Sequence, residues 1–547
     1  MRVFHIALLA ATILACLIAP ALAVDEISGV FEISENGKIV GAERFSISFE
    51  SNGQIVTESQ GTLKEGDSET KDFTRLVMRN LNGPIHSYQR EVAIQALPQA
   101  LGATYGNSEL LIEVQQGTQK REKRLQVTPS TMIVDVGVWH HLHLLIQRYS
   151  HRVGGEQQFS VAIPSELRLA EPVTLKHLAW EAVSLKNGFF MAHKYFLNRG
   201  DVGMIIWADK NGQILKIESP MQGFIAERVK YEGERAAEAN PVKIISSDLL
   251  YEDVELKTPA GKYSGVLTKP RGLVGRIPAL VFLSDSGLQD RDGNSPSANI
   301  NVGTGLMLDQ ISKAGFAVLR MDDRGTGDSE GDIARNFLSV QIQDAEALLD
   351  YLKTRPDIDA SRLALIGLGE GANVAIMTAA KRNDIVSLVL LAPCDTPLSD
   401  LAIEQVKNRV QFEQNANPAA WEKSPVVTVL RLAKEKPDLN YTVIGGRPVY
   451  LNYYREMMAM TPVDDLKKTT AKILHVQGGL DLQVFPKHAD GFRKALSGNS
   501  RYTFRLFDKL NHFFEPSKGT IGEYADPTAA TDPAFVTYVS DWLKANL

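Results

Sequence analysis

Apolar and polar positions along this chain follow two different rhythms. Over residues 24–232 apolar side chains recur mainly at every second position, in runs bounded by turn residues, as half-buried strands require. Val30-Phe31-Glu32-Ile33 leads through Glu35-Asn36-Gly37-Lys38 into a second run over 40–49. Asn36-Gly37, Asn52-Gly53 and Asn211-Gly212 each mark a hairpin, because Asn and Gly supply the left-handed backbone that a two-residue turn needs. One helix, over 139–148, interrupts the strands. The expected unit is a mainly antiparallel β domain curved over that helix. Residues 233–245, beginning Gly233-Glu234-Arg235 and including Pro241, are polar and small, and read as an inter-domain linker.

Beyond about Ser246 the rhythm changes. Short apolar runs at 279–283, 317–319, 363–366, 386–392, 473–476 and 504–507 alternate with helix-length amphipathic segments. Over 344–352, Ala345, Leu348, Leu349 and Leu352 share one helical face; a final helix over 534–543 buries Phe535, Tyr538, Val539 and Trp542. This alternation predicts an α/β domain over 246–547, with a doubly wound, mostly parallel sheet covered on both faces. Sites in such sheets form where strands end at their C-terminal edge. An insertion over 395–466 carries Phe412, Trp421, Tyr450, Tyr453, Tyr454, Met457 and Met458. It reads as a cap whose aromatic residues either line a pocket or form the cap's own core.

Length and charge narrow the classes. The 547 residues exceed one ordinary core, and a net charge of -6 offers no basic surface for nucleic acid. Arg2, an apolar stretch over 6–18 and Ala21-Leu22-Ala23 form the pattern of a secretory signal peptide, 1–23, implying export to a bacterial periplasm or beyond. Cys16, in Ile13-Leu14-Ala15-Cys16, gives a competing lipoprotein reading. Cys394 then has no partner, so no disulfide framework is expected. No later segment is apolar and long enough to span a bilayer. His140, His141, His143 and His151 cluster, but only His140 and His143 fit ligand spacing and no second pair supports them. They read as surface or half-buried helix histidines, with no metal and no organic cofactor expected.

Residues 363–371 read LALIGLGEG: a strand, a Gly-rich turn and a helix start. This is the setting of a nucleophile elbow, in which a strained turn lifts a nucleophile above the sheet. The nucleophile's position is Gly369, which has no side chain. The loops after neighbouring strands hold Ser284-Asp285-Ser286-Gly287-Leu288-Gln289-Asp290-Arg291-Asp292-Gly293, Asp322-Asp323-Arg324-Gly325-Thr326-Gly327-Asp328-Ser329, Asp481-Leu482-Gln483-Val484 and Asn511-His512.

In this order the five segments resemble the α/β-hydrolase superfamily, and within it a bacterial exported esterase and serine-aminopeptidase-like group. The resemblance runs from about residue 246 to 547. It implies an α/β-hydrolase fold, Asp481 as the triad acid, His512 as the general base, and backbone N–H groups of Ser286 and Glu370 as the oxyanion hole. It implies that Asp322, Asp323 and Arg324 brace the loop behind the site, and that the Glu370 side chain points away from the pocket. Two departures stand out: Gly369 replaces Ser, and Asp285 replaces Gly in the first loop, where an inward carboxylate opposes oxyanion binding. Ser284 and Ser286 are near enough to be weighed as substitute nucleophiles, but neither lies on an elbow.

Three readings follow for a small-molecule ester or peptide substrate or ligand. One is an exported hydrolase by descent with little serine-nucleophile activity. Another is a non-catalytic envelope binding or scaffold protein, a pseudoenzyme. The third is a general-base enzyme working through the His512–Asp481 dyad. Oligomeric state is not legible in the sequence.

Overall fold

The computed structural model describes residues 25–547 except 36, 66–67, 94–98, 237–245, 259–260, 274, 295–302, 333–334, 413–419 and 445–446. The leader with Cys16, Asn36 of the first hairpin and most of the linker lie outside the described residues.

The period-two half forms one fifteen-stranded sheet. From Asp25–Glu35 to Gln119–Gln126 each strand pairs antiparallel with the next, and a second such run leads from Glu156–Ile163 to Phe224–Arg228. The runs join where Phe31 pairs with Arg228. Glu35 pairs with Lys38, Phe49 with Ile55 and Ala208 with Ile214, so each Asn-Gly step lies between paired strands. The expected helix is a turn, Trp139–His141, running into Leu142–Arg148. Seven residues are too few for a helix to persist alone in water. Leu142, Leu144, Leu145 and Ile146 instead share one apolar core with Phe31, Phe45, Ile47, Leu76 and Ile206. The sheet therefore packs around the helix.

That burial corrects the reading of the helix histidines. His140, His141 and His143 are fully buried, not surface or half-buried. Buried polar groups must be paired. His140 lies 2.8 Å from Glu43 Oε1 and 3.0 Å from Thr57 Oγ1; His143 accepts the Ile214 N–H at 3.0 Å. Burial holds His141 and His143 well below the usual imidazole pKa, so both are neutral. His151 stands apart, exposed beyond the helix.

The first residues of the expected linker are hydrogen-bonded to the β domain. Met191 donates to the Glu234 carbonyl and Ala236 to the Phe189 carbonyl, at 3.0 and 2.8 Å, so residues 234–236 lie along the strand Gly188–Asn198.

The second half is an α/β-hydrolase fold. Its eight-stranded sheet opens with the antiparallel hairpin Leu249–Thr258 and Gly261–Pro270. Across from it run Ala317–Met321, Ile277–Leu283, Ile358–Leu368, Ser387–Leu391, Lys472–Gly478 and Tyr502–Phe507, parallel to one another. Leu348, Leu349, Leu352, Ala372 and Ile376 pack in one core against this sheet. Met307, Leu308, Ile311, Phe535 and Val539 pack in a second.

Between the strands Ser387–Leu391 and Lys472–Gly478 the insertion forms helices Leu398–Phe412, Pro425–Glu435 and Leu451–Ala459 and a small hairpin. Tyr454 and Met458 pack on its own core of Val429, Ala433 and Leu451. Trp421 lies under Lys407 Nζ at 4.2 Å, and Tyr450 faces Phe337. Trp421 and Tyr454 thus serve the cap itself, while Tyr450 and Tyr453 reach residues outside it; the Phe412 side chain lies outside the described residues. The two domains touch through residues 517–528: Gly522 donates to the Gly200 carbonyl and Lys176 to Thr528, both at 3.0 Å.

Candidate active site

The strand Ile358–Leu368 is central, so its C-terminal residues 363–368 are buried on both faces. Gly369 follows with φ +54° and ψ −116°, and the ten-residue helix Glu370–Ala379 starts at once. A residue with a side chain held at this φ stores about 1–3 kcal/mol of strain. Gly367 and Gly371 allow close approach, since a Cβ on either would overlap a backbone carbonyl, of Gly371 and of Leu283 respectively. At Gly369 the obstruction is different: a Cβ there would overlap Asp285 Oδ1. The space in which a nucleophilic side chain would start holds a carboxylate from the neighbouring loop.

Asp481 and His512 meet as the resemblance implied. His512 Nδ1 lies 2.8 Å from Asp481 Oδ2. Asp481 Oδ1 accepts the N–H groups of Gln483 and Val484 at 2.8 and 2.9 Å, and Gln477 donates to Oδ2 at 3.0 Å. Tyr524 Oη accepts the backbone N–H of both Leu482 and His512, tying acid and base turns together. The other imidazole nitrogen, Nε2, lies 3.0 Å from Asp285 Oδ2. His512 is therefore clamped between two carboxylates.

The predicted oxyanion donors also converge, but on the protein's own anion. The Glu370 N–H donates to Asp285 Oδ1 at 3.0 Å, and the Ser286 backbone hydrogen-bonds the same carboxylate. Burial alone would raise the Asp285 pKa; the charge of His512 and these hydrogen bonds outweigh it and hold it below the usual carboxylate range. The N-terminus of the helix Glu370–Ala379 favours an anion at the same place. Burial pushes His512 down, while Asp481 and Asp285 push it up, to about 10. Both carboxylates thus favour the protonated imidazole of His512.

Three expectations change here. Asp285 is the second carboxylate partner of His512, a role the sequence reading did not give it. The Ser286 and Glu370 N–H groups are occupied. The Glu370 side chain does not point away: Gln341 donates to it at 2.9 Å and Tyr453 of the cap donates to its other oxygen. Burial raises its pKa. Ser284 donates to Asp323 at 2.6 Å, and burial lifts Asp323 to about 7. Arg324 pairs with Asp344 at 2.7 Å, and Arg291 with Asp322, bracing the loops as expected. The cavity beside Asp285, among Ser284, Gly287, Asn336, Gln341 and Glu370, is about 40 Å³. At about 10–15 Å³ per water that is room for a few waters, not for an ester. A larger cavity of about 320 Å³ lies in the β domain, lined by Ile33, Val92, Trp139, Leu142, Met204 and Phe224 among others.

Parts of the chain are similar to known proteins. Residues 305–514 match the family of serine aminopeptidases, S33. "Esterase EstD" of Thermotoga maritima is 25% identical over 324 residues, 59% of this chain and 71% of that protein. "Putative hydrolase YtaP" of Bacillus subtilis is 29% identical over 132 residues, 22% of this chain and 44% of that protein, so the chain spans under half of this relative. Among solved structures, the Pyrococcus furiosus esterase Pf2001 aligns with a TM-score of 0.37 at 17% identity, over 56% of this chain and 97% of that one. The hypothetical protein PA2218 of Pseudomonas aeruginosa gives 0.39 at 15%, over 57% of this chain and 100% of its own. The family and esterase matches support the α/β-hydrolase superfamily for this chain.

Proposed function

We propose that this chain is an exported hydrolase-superfamily protein of the cell envelope in which serine-type ester or peptide cleavage is closed, and which binds a small molecule instead of turning it over by that route. The observation that carries this reading is the Asp285 carboxylate, seated on the Glu370 N–H and 3.0 Å from His512, where Gly369 leaves the space. Acyl transfer through serine needs a nucleophile, a free base and an empty oxyanion hole. Here the nucleophile is missing, the base is protonated and the oxyanion donors already hold an anion. Loss of a triad serine alone costs about a million-fold in turnover. The apolar cavity of about 320 Å³ in the β domain supports the binding role, since small-molecule sites start at about that volume.

The test is wild-type protein with activated aryl esters and a fluorophosphonate probe. Neither turnover nor adduct is expected; an adduct on Ser284 or Ser286 contradicts the reading.

A second reading rests on the same carboxylate. With Oδ1 held by a backbone N–H and Oδ2 beside His512, Asp285 has the placement of a carboxylate nucleophile for an alkylating substrate. Attack by Oδ2 on an alkyl carbon would form a neutral ester and expel the leaving group with its electron pair. The lost charge would lower the His512 pKa, freeing it to activate water. Single turnover of an alkyl halide or epoxide in 18O-water, with 18O then found in Asp285, supports this reading; unlabelled Asp285 excludes it. The dyad reading is weaker, because a protonated His512 has no lone pair with which to accept a proton.

A further inference from the structure

His151 lies outside the buried histidine row and meets two histidines from distant strands. His177 stands on Arg168–Leu185 and His193 on Gly188–Asn198, which pair antiparallel. His177 pairs with Tyr195 and Trp180 with His193, and the register shifts between His177 and Ala179. His193 and Tyr195 share a face because they are two residues apart on one strand. The bulge sets His177 beside them, with its Nε2 3.0 Å from His193 Nδ1. The His151 ring closes the group, with centroids 4.5 Å from His193 and 5.1 Å from His177. One ring nitrogen of each histidine lies within 4.8 Å of the other two.

The geometry points to a three-histidine site for a divalent ion of the zinc class. Zn–N bonds of about 2.0–2.1 Å at tetrahedral angles place ligand nitrogens about 3.3 Å apart. One pair already stands near that spacing, at 3.0 Å, and the third ring offers a nitrogen within 4.8 Å of both. Three imidazoles and no carboxylate suit Zn²⁺, Cu²⁺ or Ni²⁺ rather than Mg²⁺ or Ca²⁺. The rings are held from behind: His177 hydrogen-bonds the Ala179 backbone, and His151 Nε2 lies 2.9 Å from the buried Tyr195 hydroxyl. Such outer hydrogen bonds fix the tautomer and aim of metal-binding histidines. His151 is exposed and His177 and His193 are half-buried, so the fourth coordination position faces solvent.

Among the described residues, a second cluster of potential ligands, Cys394, Asp395 and His488, lacks this character. His488 is bonded by Asp395 at 2.8 Å and Glu404 at 3.1 Å, so both its nitrogens are committed.

Metal-stripped mature protein, titrated with Co²⁺ and followed by visible absorption, tests the assignment, with Zn²⁺ competition against a chromophoric chelator giving affinity. Wild type is expected to bind one equivalent with a tetrahedral Co²⁺ band. His177→Gln and His193→Gln are each expected to weaken binding by about 100-fold or more, beyond what loss of an outer hydrogen bond costs. His488→Gln is expected to bind as wild type does. These histidines are not in the fully buried core, and unchanged melting of the metal-free variants separates ligand loss from misfolding. Absence of a stoichiometric Co²⁺ band in wild type, or equal binding by a well-folded His177→Gln/His193→Gln double variant, overturns the proposal.

Discussion

If Asp285 fills the space above Gly369, a methyl group at that position should be costly for a reason that a second substitution removes. In Gly369→Ala the new Cβ overlaps Asp285 Oδ1 by more than about 1 Å relative to ordinary contact, so the carboxylate must leave. Its displacement gives up the charge-assisted bond from the Glu370 N–H, worth about 1.5–3 kcal/mol, and disturbs the contact with His512. Alanine at φ +54° adds about 1–3 kcal/mol of backbone strain. The single substitution is therefore expected to cost about 2.5–6 kcal/mol. In an Asp285→Gly background only the strain remains, about 1–3 kcal/mol. The double-mutant cycle should show a coupling of about 1.5–3 kcal/mol, well above the scatter of about 0.5 kcal/mol between independent sites. The assay is the thermal transition of the α/β domain for wild type, both singles and the double. Equal cost of Gly369→Ala in both backgrounds would refute the overlap and with it the assignment of Asp285.

Other outcomes follow from the same geometry. Asp285 has a depressed folded pKa, so its stabilising share is present above about pH 4 and is lost as pH falls. His512, raised to about 10, contributes fully below about pH 6.5 and loses that share as pH climbs towards 10. The difference in melting temperature between wild type and Asp285→Asn should accordingly be largest near about pH 5–6 and shrink towards about pH 10; a flat difference contradicts the ion triad. In 15N-histidine spectra at about pH 8, His512 should show the doubly protonated ring in wild type and shift towards the neutral form in Asp285→Asn. Tyr453→Phe removes the cap's donor to buried Glu370 and should destabilise by about 1–3 kcal/mol, read by denaturant midpoint, with a smaller loss at low pH, where Glu370 is neutral and only a neutral hydrogen bond is removed.

The parts of the fold that were legible in the sequence are those set by local periodicity. Each of the six apolar runs in the second half is a parallel strand, and five of them are buried on both faces, which leaves no polar alternation to confuse them. The hairpin Leu249–Thr258 with Gly261–Pro270 went unread: as a half-exposed edge it alternates Glu252, Asp253, Glu255 and Lys257 with Val254 and Leu256. Asp481 and His512 were legible from their turns. The place of Asp285 was not, since its partners Glu370 and His512 lie 85 and 227 residues away. The available signal was the pairing of two departures, a side chain lost at Gly369 and one gained at Asp285, which are complementary in volume. The seat of His140, His141 and His143 depended on a sheet closing around a seven-residue helix, a tertiary fact no helical spacing carries.

The most direct measurement of the central claim is fluorophosphonate labelling and aryl-ester turnover in four proteins: wild type, Gly369→Ser, Asp285→Gly and the double. In Gly369→Ser the serine Cβ pushes the Asp285 carboxylate off the Glu370 N–H, but the displaced anion stays in the same loop, competing for the oxyanion donors and His512, so that variant alone should be labelled far more slowly than the double. Removing Asp285 frees the Glu370 N–H and leaves His512 facing only Asp481, so the double variant should be labelled and gain about a thousandfold or more in turnover, part of the roughly million-fold that a triad serine contributes. Labelling of Gly369→Ser as fast as of the double variant would contradict the account, because Asp285 would then not be what holds the site closed.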